Sequence, residues 1–324
     1  MLGVTLATAV ALGIAWPASF LTPILTAVFL GPPGKPLPFK AGVAFVLTIV
    51  GACAFALLVS LILLPYPAAF MLMIAWLLAV IFYSASGRVS PIVVMWLLIA
   101  FSVIPLLSIQ SGALALGIAQ YLVMGAAAAV GFAWLAHALV PGPRPEPVTE
   151  PAPAAAQPQM TTAERARQAL ISTTVVYPIL MLFLFFSLTG QIVILVFVAL
   201  LAMNPSLGAG KQAGMALIAA NVAGGLAAIL IYNLLVAVPE FAFLLCLMLL
   251  AALLFGRALY SDWKYAKLAG SAFSAVLLII GSTTTSTNEA GAKVLTRVLQ
   301  ITAAVLYLVI AFGVIESLGR RRRN

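Results

Sequence analysis

The chain alternates between long apolar runs and short polar interruptions over its whole length. Several runs reach the ~20 residues with which an α-helix crosses a bilayer, and Pro, Gly and charged residues separate them. This pattern predicts twelve helices. The first six cover Leu2–Ala15, Ala18–Leu30, Lys40–Leu64, Ala68–Tyr83, Pro91–Leu107 and Gly112–Ala138. The second six cover Ala166–Leu188, Gln191–Met203, Gln212–Ala237, Phe241–Leu254, Leu268–Gly281 and Ala292–Leu318.

A proline-rich stretch, Pro141–Gln159, separates the two sets of six. It has no apolar face with which to fold, so its composition predicts an extended and solvated linker. The chain therefore divides into a first membrane repeat over residues 1–140, a cytoplasmic Pro/Ala-rich linker over 141–162, and a second membrane repeat with a basic tail over 163–324.

Polar and small residues recur at matching positions in the two halves. The pairs are Thr48 with Asn221, Gly51 with Gly224, Ser60 with Asn233, Gln120 with Gln300, and His137 with Glu316. Because six spans is an even number, both halves would point the same way across the membrane. The predicted fold is an all-α integral membrane protein whose twelve transmembrane helices form two parallel six-helix repeats.

Composition agrees with a bilayer as the solvent. Hydrophobic residues make up 65% of the chain and charged residues only 7%, whereas soluble domains carry roughly 25% charged residues. The net charge of +9 comes from basic residues in the gaps between apolar runs. If both termini are cytoplasmic, fourteen of the sixteen Lys and Arg fall on the cytoplasmic side, as the positive-inside rule predicts. Nucleic-acid binding is disfavoured, because it needs clustered basic residues.

Enzymatic chemistry has little support in the sequence. One His and two separated Cys predict no metal site, and a Gly-rich phosphate loop followed by Lys and Ser or Thr is missing. A membrane-embedded transferase would need paired carboxylates or a His-rich loop. We therefore predict no enzymatic activity and no cofactor.

The layout resembles a known family. The second block opens with Arg165-Ala-Arg-Gln-Ala-Leu-Ile, and the last helix begins with Ala292-Lys-Val-Leu-Thr-Arg-Val-Leu-Gln. These features resemble the fusaric-acid-resistance-like family of bacterial inner-membrane proteins, which includes the aromatic acid exporters. Long members carry a substantial cytoplasmic domain between the halves, where this chain has only its linker. The resemblance implies export of weak organic acids, often with a periplasmic adaptor of the membrane-fusion type.

Polar side chains inside apolar runs are the candidates for a substrate path, because they are costly in a bilayer. Arg297 could bind a carboxylate through two parallel hydrogen bonds, or it could reach the headgroups or pair with Glu289. Thr284 and Ser286 belong to a hydroxyl-rich run that could line an exit path or form a solvated loop. Asn221 and Asn233 could line the path or hold helices together. Gln120 and Gln300 complete the set of path candidates.

His137 and Glu316 occupy matching ends of the sixth and twelfth predicted helices. They could titrate as a proton relay, although a salt bridge with Arg320–Arg323 is the alternative for Glu316. Trp96 and Trp134, near helix ends, are typical of an interfacial aromatic belt, and mid-helix Trp76 predicts packing.

The sequence thus favours an efflux transporter for small amphipathic organic anions such as aromatic carboxylates, in a bacterial inner membrane. A passive anion channel is the second hypothesis, and a non-transporting scaffold or assembly subunit is the third. Fold-level reasoning does not choose between them.

Overall fold

The computed structural model of the chain describes residues 1–14, 20–31, 37–85, 89–139, 161–187, 207–261 and 266–283, with single positions between 194 and 202 and between 299 and 314. Side chains at 207–215, 217, 267 and 282–283 lie outside this description. Everything that follows concerns the described residues. The predicted linker and most of the eighth and twelfth predicted helices lie outside them.

Ten helices form the described part of the molecule, and no strand occurs in it. The prediction of an all-α protein is confirmed at that level. The helices are α1 (Leu2–Ile14), α2 (Leu21–Leu30), α3 (Phe39–Leu63), α4 (Pro67–Ala85), α5 (Pro91–Gln110), α6 (Gly112–Leu139), α7 (Thr162–Phe185), α8 (Leu207–Ala237), α9 (Phe241–Leu259) and α10 (Ala266–Thr283).

Seven helices are long and apolar enough to cross a membrane, namely α3 to α9, with the span in α8 over Ile218–Ala237. Three shorter apolar helices, α1, α2 and the Leu268–Gly281 part of α10, accompany them. A chain with this many apolar helices is a multi-pass membrane protein, because the hydrocarbon core admits only segments that satisfy their own backbone hydrogen bonds.

Helix α5 lies in the interior of the first half. Every residue from Ala100 to Leu107 is buried, so all sides of this segment are covered, as expected for a helix that is apolar all round. Its neighbours are α3, α4, α6 and α7. Pro105 lies inside the helix and is buried. Because proline lacks an N–H, the carbonyl of Phe101 loses its intrahelical donor.

Helix α7 begins four residues earlier than the apolar run predicts. Thr161 caps it, since the Glu164 N–H donates to the Thr161 hydroxyl and the Thr161 N–H donates to the Glu164 carboxylate. This reciprocal capping box satisfies two backbone donors at the helix start. Ser187, at φ 49°, takes the left-handed conformation just after the helix ends, a common helix terminator.

The apolar interior consists of two clusters, and each includes residues from both sides of the linker. The first cluster joins Leu25 of α2 and helices α3–α6 with α7 and with Leu195, Val198 and Ala202. The second cluster joins α8–α10 with Val4 of α1. Accordingly, α7 packs on α4, and α1 packs on α9 as well as on α2 and α6. The first helix of each half therefore packs against the fourth predicted helix of the other half.

The hairpin α3–α4 and the hairpin α8–α9 follow the same plan. Each has a short connection, Leu64–Tyr66 or Val238–Glu240, and α4 and α9 each contain 19 residues. Their buried positions also correspond. Phe70, Ile74, Leu77, Leu78 and Phe82 of α4 match Leu244, Met248, Ala251, Ala252 and Gly256 of α9.

Burial on α3 and α8 corresponds one residue away from the alignment that the sequence predicts. Thr48 is exposed and Asn221 is buried, so these two side chains face different surroundings. Burial pairs Ile49, Ala52, Ala56 and Val59 with Asn221, Gly224, Ala228 and Ile231. A one-residue shift turns a helix by 100°, so the three pairs predicted on these two helices, Thr48 with Asn221, Gly51 with Gly224 and Ser60 with Asn233, differ in burial.

Candidate functional site

The two halves of the chain contact each other through several helices. Here α4 and α5 of the first half contact α7, α1 contacts α9, and α2 contacts α10. The Tyr260 hydroxyl, just after α9, donates to the carbonyls of Leu30 and Gly31 at the end of α2, at 2.9 and 3.0 Å. The boundary between the halves thus consists of packed helices together with hydrogen bonds from Tyr260.

Most of the unpaired polar groups belong to two helices, α5 and α7. Within the described residues, five buried side-chain polar atoms have no hydrogen-bond partner, and four of them lie on α5 and α7. We call these four residues the α5–α7 seam: Trp96 and Ser102 of α5, and Arg165 and Thr173 of α7. The fifth atom is the Thr22 hydroxyl of α2.

The seam side chains are deeply placed. Trp96 is 3% exposed, Ser102 is 0% exposed and Thr173 is 9% exposed, while Arg165 is half-buried. Leaving a buried donor unsatisfied costs roughly 1–3 kcal/mol. Native proteins satisfy nearly all such groups, so each of these atoms is a place where water or another polar partner would bind.

Other hydroxyls in α5 and α7 donate to a backbone carbonyl of their own helix. Ser108 of α5 donates to the Ile104 carbonyl at 2.8 Å, and Thr174 of α7 donates to the Leu170 carbonyl at 2.8 Å. The same bond to the carbonyl four residues earlier occurs at Thr8, Thr26, Thr48, Ser60 and Ser274. Ser102 and Thr173 depart from this pattern, which is the ordinary one for hydroxyls inside helices.

The residues predicted from sequence fall into three groups. Asn221 and Gln300 are buried, at 8% and 7% exposure, which agrees with interior positions. Asn233 and Gln120 are exposed, so neither is enclosed by the described helices. Arg297, Thr284, Ser286 and Glu316 lie outside the described residues, and their roles stay predictions.

His137 is half-buried in the last turn of α6, with its Nδ1 2.8 Å from the Ala133 carbonyl oxygen. A neutral ring with the proton on Nδ1 or a protonated ring donates this bond. Its suggested partner in a proton relay, Glu316, is outside the described residues. The relay stays a prediction.

Two tryptophans lie in surroundings that differ from the prediction. Trp96 is buried in α5 rather than lying in an interfacial belt, and Trp76 is 59% exposed rather than packed inside. Trp134 behaves as a helix-end anchor, because its Nε1–H donates to the Leu37 carbonyl at 3.0 Å and its ring stacks on Phe39 at 4.9 Å.

Sequence reasoning missed the seam because serine, threonine and tryptophan are unremarkable in an apolar helix. One signal was present, since α5 and α7 each carry an internal proline, Pro105 and Pro178. Prolines in membrane helices are tolerated where neighbours or water satisfy the freed backbone groups.

Cavities occur elsewhere in the described part of the molecule. One of about 320 Å³ lies between α2, α9 and α10 and is lined by residues such as Val28, Phe255 and Ser274. Another, of about 870 Å³, opens between α3, α5 and α6 among apolar residues such as Leu57, Leu61 and Leu116. Among the described residues, no group of three or more His, Cys, Asp or Glu could hold a metal ion.

Comparison with known proteins places the first part of the chain beside a family without an assigned function. Residues 1–136 match a family whose description is "Protein of unknown function (DUF2955)". That range covers α1–α5 and all of α6 except its last three residues. No curated protein and no solved structure matches the chain. The resemblance to the fusaric-acid-resistance-like family stays a prediction.

Proposed function

We propose that this chain is an efflux transporter of the bacterial inner membrane for small amphipathic organic anions, such as aromatic carboxylic acids. In this proposal twelve spans form two parallel six-helix repeats. The observation that carries it is the recurrence of the same helix packing on either side of the linker.

The recurring contacts support a duplicated unit. In the first half α5 packs on α3 and α4, and in the second half α10 packs on α8 and α9. In the first half α1 packs on α2 and α6. In the second half two hydrogen bonds hold α7 in the corresponding way: the Ser172 hydroxyl donates to the Ala202 carbonyl, and the Tyr307 hydroxyl donates to the Val175 carbonyl, each at 2.6 Å. Ala202 and Tyr307 belong to the eighth and twelfth predicted helices.

Two bundles of this kind suit a carrier. In many transporters the substrate binds between two repeats, and the repeats rock against each other to expose it to one side at a time. The first helix of each half contacts the other half, since α1 packs on α9 of the second half and α7 packs on α4 of the first half. A cavity of about 320 Å³ lies at this boundary, between α2 of the first half and α9 and α10 of the second.

The preference for anions rests on the donors at this boundary and on the resemblance. Indole and guanidinium N–H groups only donate hydrogen bonds, so the unpaired Trp96 Nε1–H and Arg165 Nε–H favour partners that accept hydrogen bonds. An adaptor protein of the membrane-fusion type is the partner that the resemblance implies, and we propose it on that ground alone.

Topology gives a direct test of the twelve-span arrangement. Gly3 of α1 lies against Ala136 of α6, and the Met1 side chain lies against Gly256 of α9, which precedes Arg257. Met1 and Arg257 are therefore at the same end of the helix bundle. We propose that this end is cytoplasmic, because basic residues favour that side. Reporter fusions at Thr149 and Asn324 should both report the cytoplasm; a periplasmic signal from either would contradict twelve spans.

Transport itself can be measured in proteoliposomes that contain the purified chain. We expect radiolabelled benzoate to move across the membrane in response to an imposed proton or sodium gradient, and benzyl alcohol to show no protein-dependent flux. Liposomes without protein provide the control. Benzoate currents that persist without coupling to either gradient would indicate a channel, and no protein-dependent flux of the acid would contradict transport by this chain alone.

A further inference from the structure

We propose that the cavity between α2, α9 and α10 binds the aromatic ring of the transported acid, which enters from the end of the bundle where Arg257 lies. This inference rests on the proposed function, because it names the place where an exported aromatic carboxylate would first bind. Binding can be measured without transport, so the two proposals can fail separately.

The cavity lies between helices that belong to different halves of the chain. Ala27, Val28 and Gly31 of α2 form the wall of the first half. Leu259 of α9 and Gly270 of α10 belong to the walls of the second half. In many carriers built from two repeats the substrate binds between the repeats. A ligand in this cavity would contact both halves and respond to their relative movement.

Helices α2 and α10 touch at one end and are separated by the cavity at the other. At the closed end, a Cβ on Gly281 would lie 2.5 Å from the Phe20 Cβ. Gly31 and Gly270, which line the cavity, are each eleven residues further along, since 31 − 20 and 281 − 270 both equal 11, or about 16 Å of helix. A cleft that is closed at one end and hollow at the other is the shape expected of one state of an alternating-access carrier.

The hollow end of this cleft is the end that we propose to face the cytoplasm. The Met1 side chain lines the cavity and lies against Gly256 of α9, and Arg257 follows in the last turn of that helix. The sequence from Arg257 to Lys267 carries three basic residues and one acid. A local excess of positive charge raises the concentration of anions nearby. An acid destined for export has to bind from this side.

The walls of the cavity suit an aromatic ring that carries a polar substituent. Phe255 and Phe273 both line the cavity, and their rings stack with centroids 5.8 Å apart and planes inclined by 30°. A ligand ring can pack against this pair in the offset or edge-to-face geometries that aromatic rings prefer. Ser271 and Ser274 add hydroxyls to the same lining. Ser271 is exposed, so its hydroxyl can donate to a carboxylate.

The volume of the cavity sets the size of the ligand. The cavity holds about 320 Å³, and an apolar cavity of about 150 Å³ binds benzene. There is therefore room for one ring with its carboxylate or for two fused rings. A second cavity, of about 350 Å³, lies between α1, α6 and α9, and the described residues that line it are aliphatic apart from Thr5. The aromatic pair distinguishes the first cavity from this one.

The first test uses the full chain in detergent, with 2-naphthoate as the probe and acetate as a carboxylate without a ring. The cavity variant is Gly270→Phe, which puts a ring of its own into the cavity. A Cβ at Gly270 would meet the Leu259 side chain at 3.6 Å, an ordinary contact, so the variant should fold. The matched control is Gly131→Phe, because a Cβ at Gly131 would meet no atom within 4 Å. The melting temperature as a function of probe concentration gives an apparent affinity.

We expect 2-naphthoate to raise the melting temperature of the parent and of Gly131→Phe, and acetate to leave both unchanged. Gly270→Phe should bind 2-naphthoate about tenfold more weakly or worse, because its own ring occupies space that the two fused rings need. The proposal is overturned if 2-naphthoate does not stabilise the parent, if acetate stabilises it equally, or if Gly270→Phe binds 2-naphthoate as well as the parent does.

Alkylation of single cysteines provides a measurement that does not depend on the folding of Gly270→Phe. Gly270→Cys lies in the proposed site and Leu139→Cys lies in the second cavity, each in a chain whose Cys53 and Cys246 are replaced by alanine. At about ten times its Kd, 2-naphthoate should slow the reaction of a water-soluble maleimide with Gly270→Cys about tenfold, since only the unliganded fraction reacts. Leu139→Cys should react at an unchanged rate. No protection of Gly270→Cys, or equal protection of both cysteines, would refute the ring site.

Flux of 2-naphthoate into proteoliposomes separates this proposal from the proposed function. If 2-naphthoate binds in the cavity and shows no protein-dependent flux, transport is contradicted and the ring site stands. If the parent transports 2-naphthoate and Gly270→Phe transports it equally well, the ring site is contradicted and transport stands.

Discussion

Replacing Gly224 with leucine should prevent the chain from accumulating as folded protein. Gly224 lies where α8 meets α10, and a Cβ there would overlap the carbonyl oxygen of Ala272 and lie 2.9 Å from the Ala275 Cβ. A backbone carbonyl inside a helix cannot move aside as a flexible side chain can. Overpacking a core typically costs about 1–3 kcal/mol, and separating two closely packed helices should cost more.

Gly51 provides the matched control, because the sequence alignment paired it with Gly224. A Cβ at Gly51 would meet no atom within 4 Å, and Gly51 is exposed. Gly51→Leu should therefore leave the melting temperature and the yield of monodisperse protein close to those of the parent. The measurement is size-exclusion chromatography followed by thermal unfolding in detergent. Normal yield and stability for Gly224→Leu would contradict the close approach of α8 and α10.

A disulfide between Phe20→Cys and Gly281→Cys should abolish transport while the fold is retained. Phe20 precedes α2 in the first half, and Gly281 is near the end of α10 in the second. A Cβ at Gly281 would lie 2.5 Å from the Phe20 Cβ, so a shift of about 1 Å reaches the separation of ~3.5–4.5 Å that a disulfide needs. If the halves rock during transport, this bond holds them in one state.

The control disulfide lies within the first half. A Cβ at Gly125 of α6 would lie 3.4 Å from the Leu21 Cβ of α2, so Gly125→Cys with Leu21→Cys should also form a bond, and transport should continue. Both pairs require replacement of Cys53 and Cys246 by alanine, since both native thiols are free. Reduction should restore transport to the cross-half variant. Full transport by its oxidised form would contradict rocking of the halves at this point.

Helix boundaries were predictable wherever a local signal defines them. The sequence places the starts of α5, α6 and α9 at Pro91, Gly112 and Phe241, and the structure has the same starts. A proline at the first helical position and short polar breaks are local signals. The apolar run predicts the start of α7 four residues too late, because the capping box of Thr161 and Glu164 lies in the polar sequence before that run.

The candidate site was less predictable from sequence, because whether a buried polar side chain has a hydrogen-bond partner depends on the residues packed around it. The sequence draws attention to charged and amide residues in apolar runs, and two of these, Asn233 and Gln120, turned out to be exposed. Ser102 looks like Ser108 in the sequence, three helical positions from the same Pro105. Only the packed structure shows that one hydroxyl has a partner and the other has none.

The sequence by itself determined that this is an all-helical, multi-pass membrane protein, because the length and apolar character of each segment decide whether it can cross a bilayer. Tertiary structure alone decided which helices are neighbours. The packing of α1 on α9 and of α7 on α4, the burial of Ile49 and Asn221, and the exposure of Thr48 depend on contacts between residues far apart in the chain. In lipid, apolar helix faces are nearly equivalent, so close approach of small residues and the few buried polar groups select the partners.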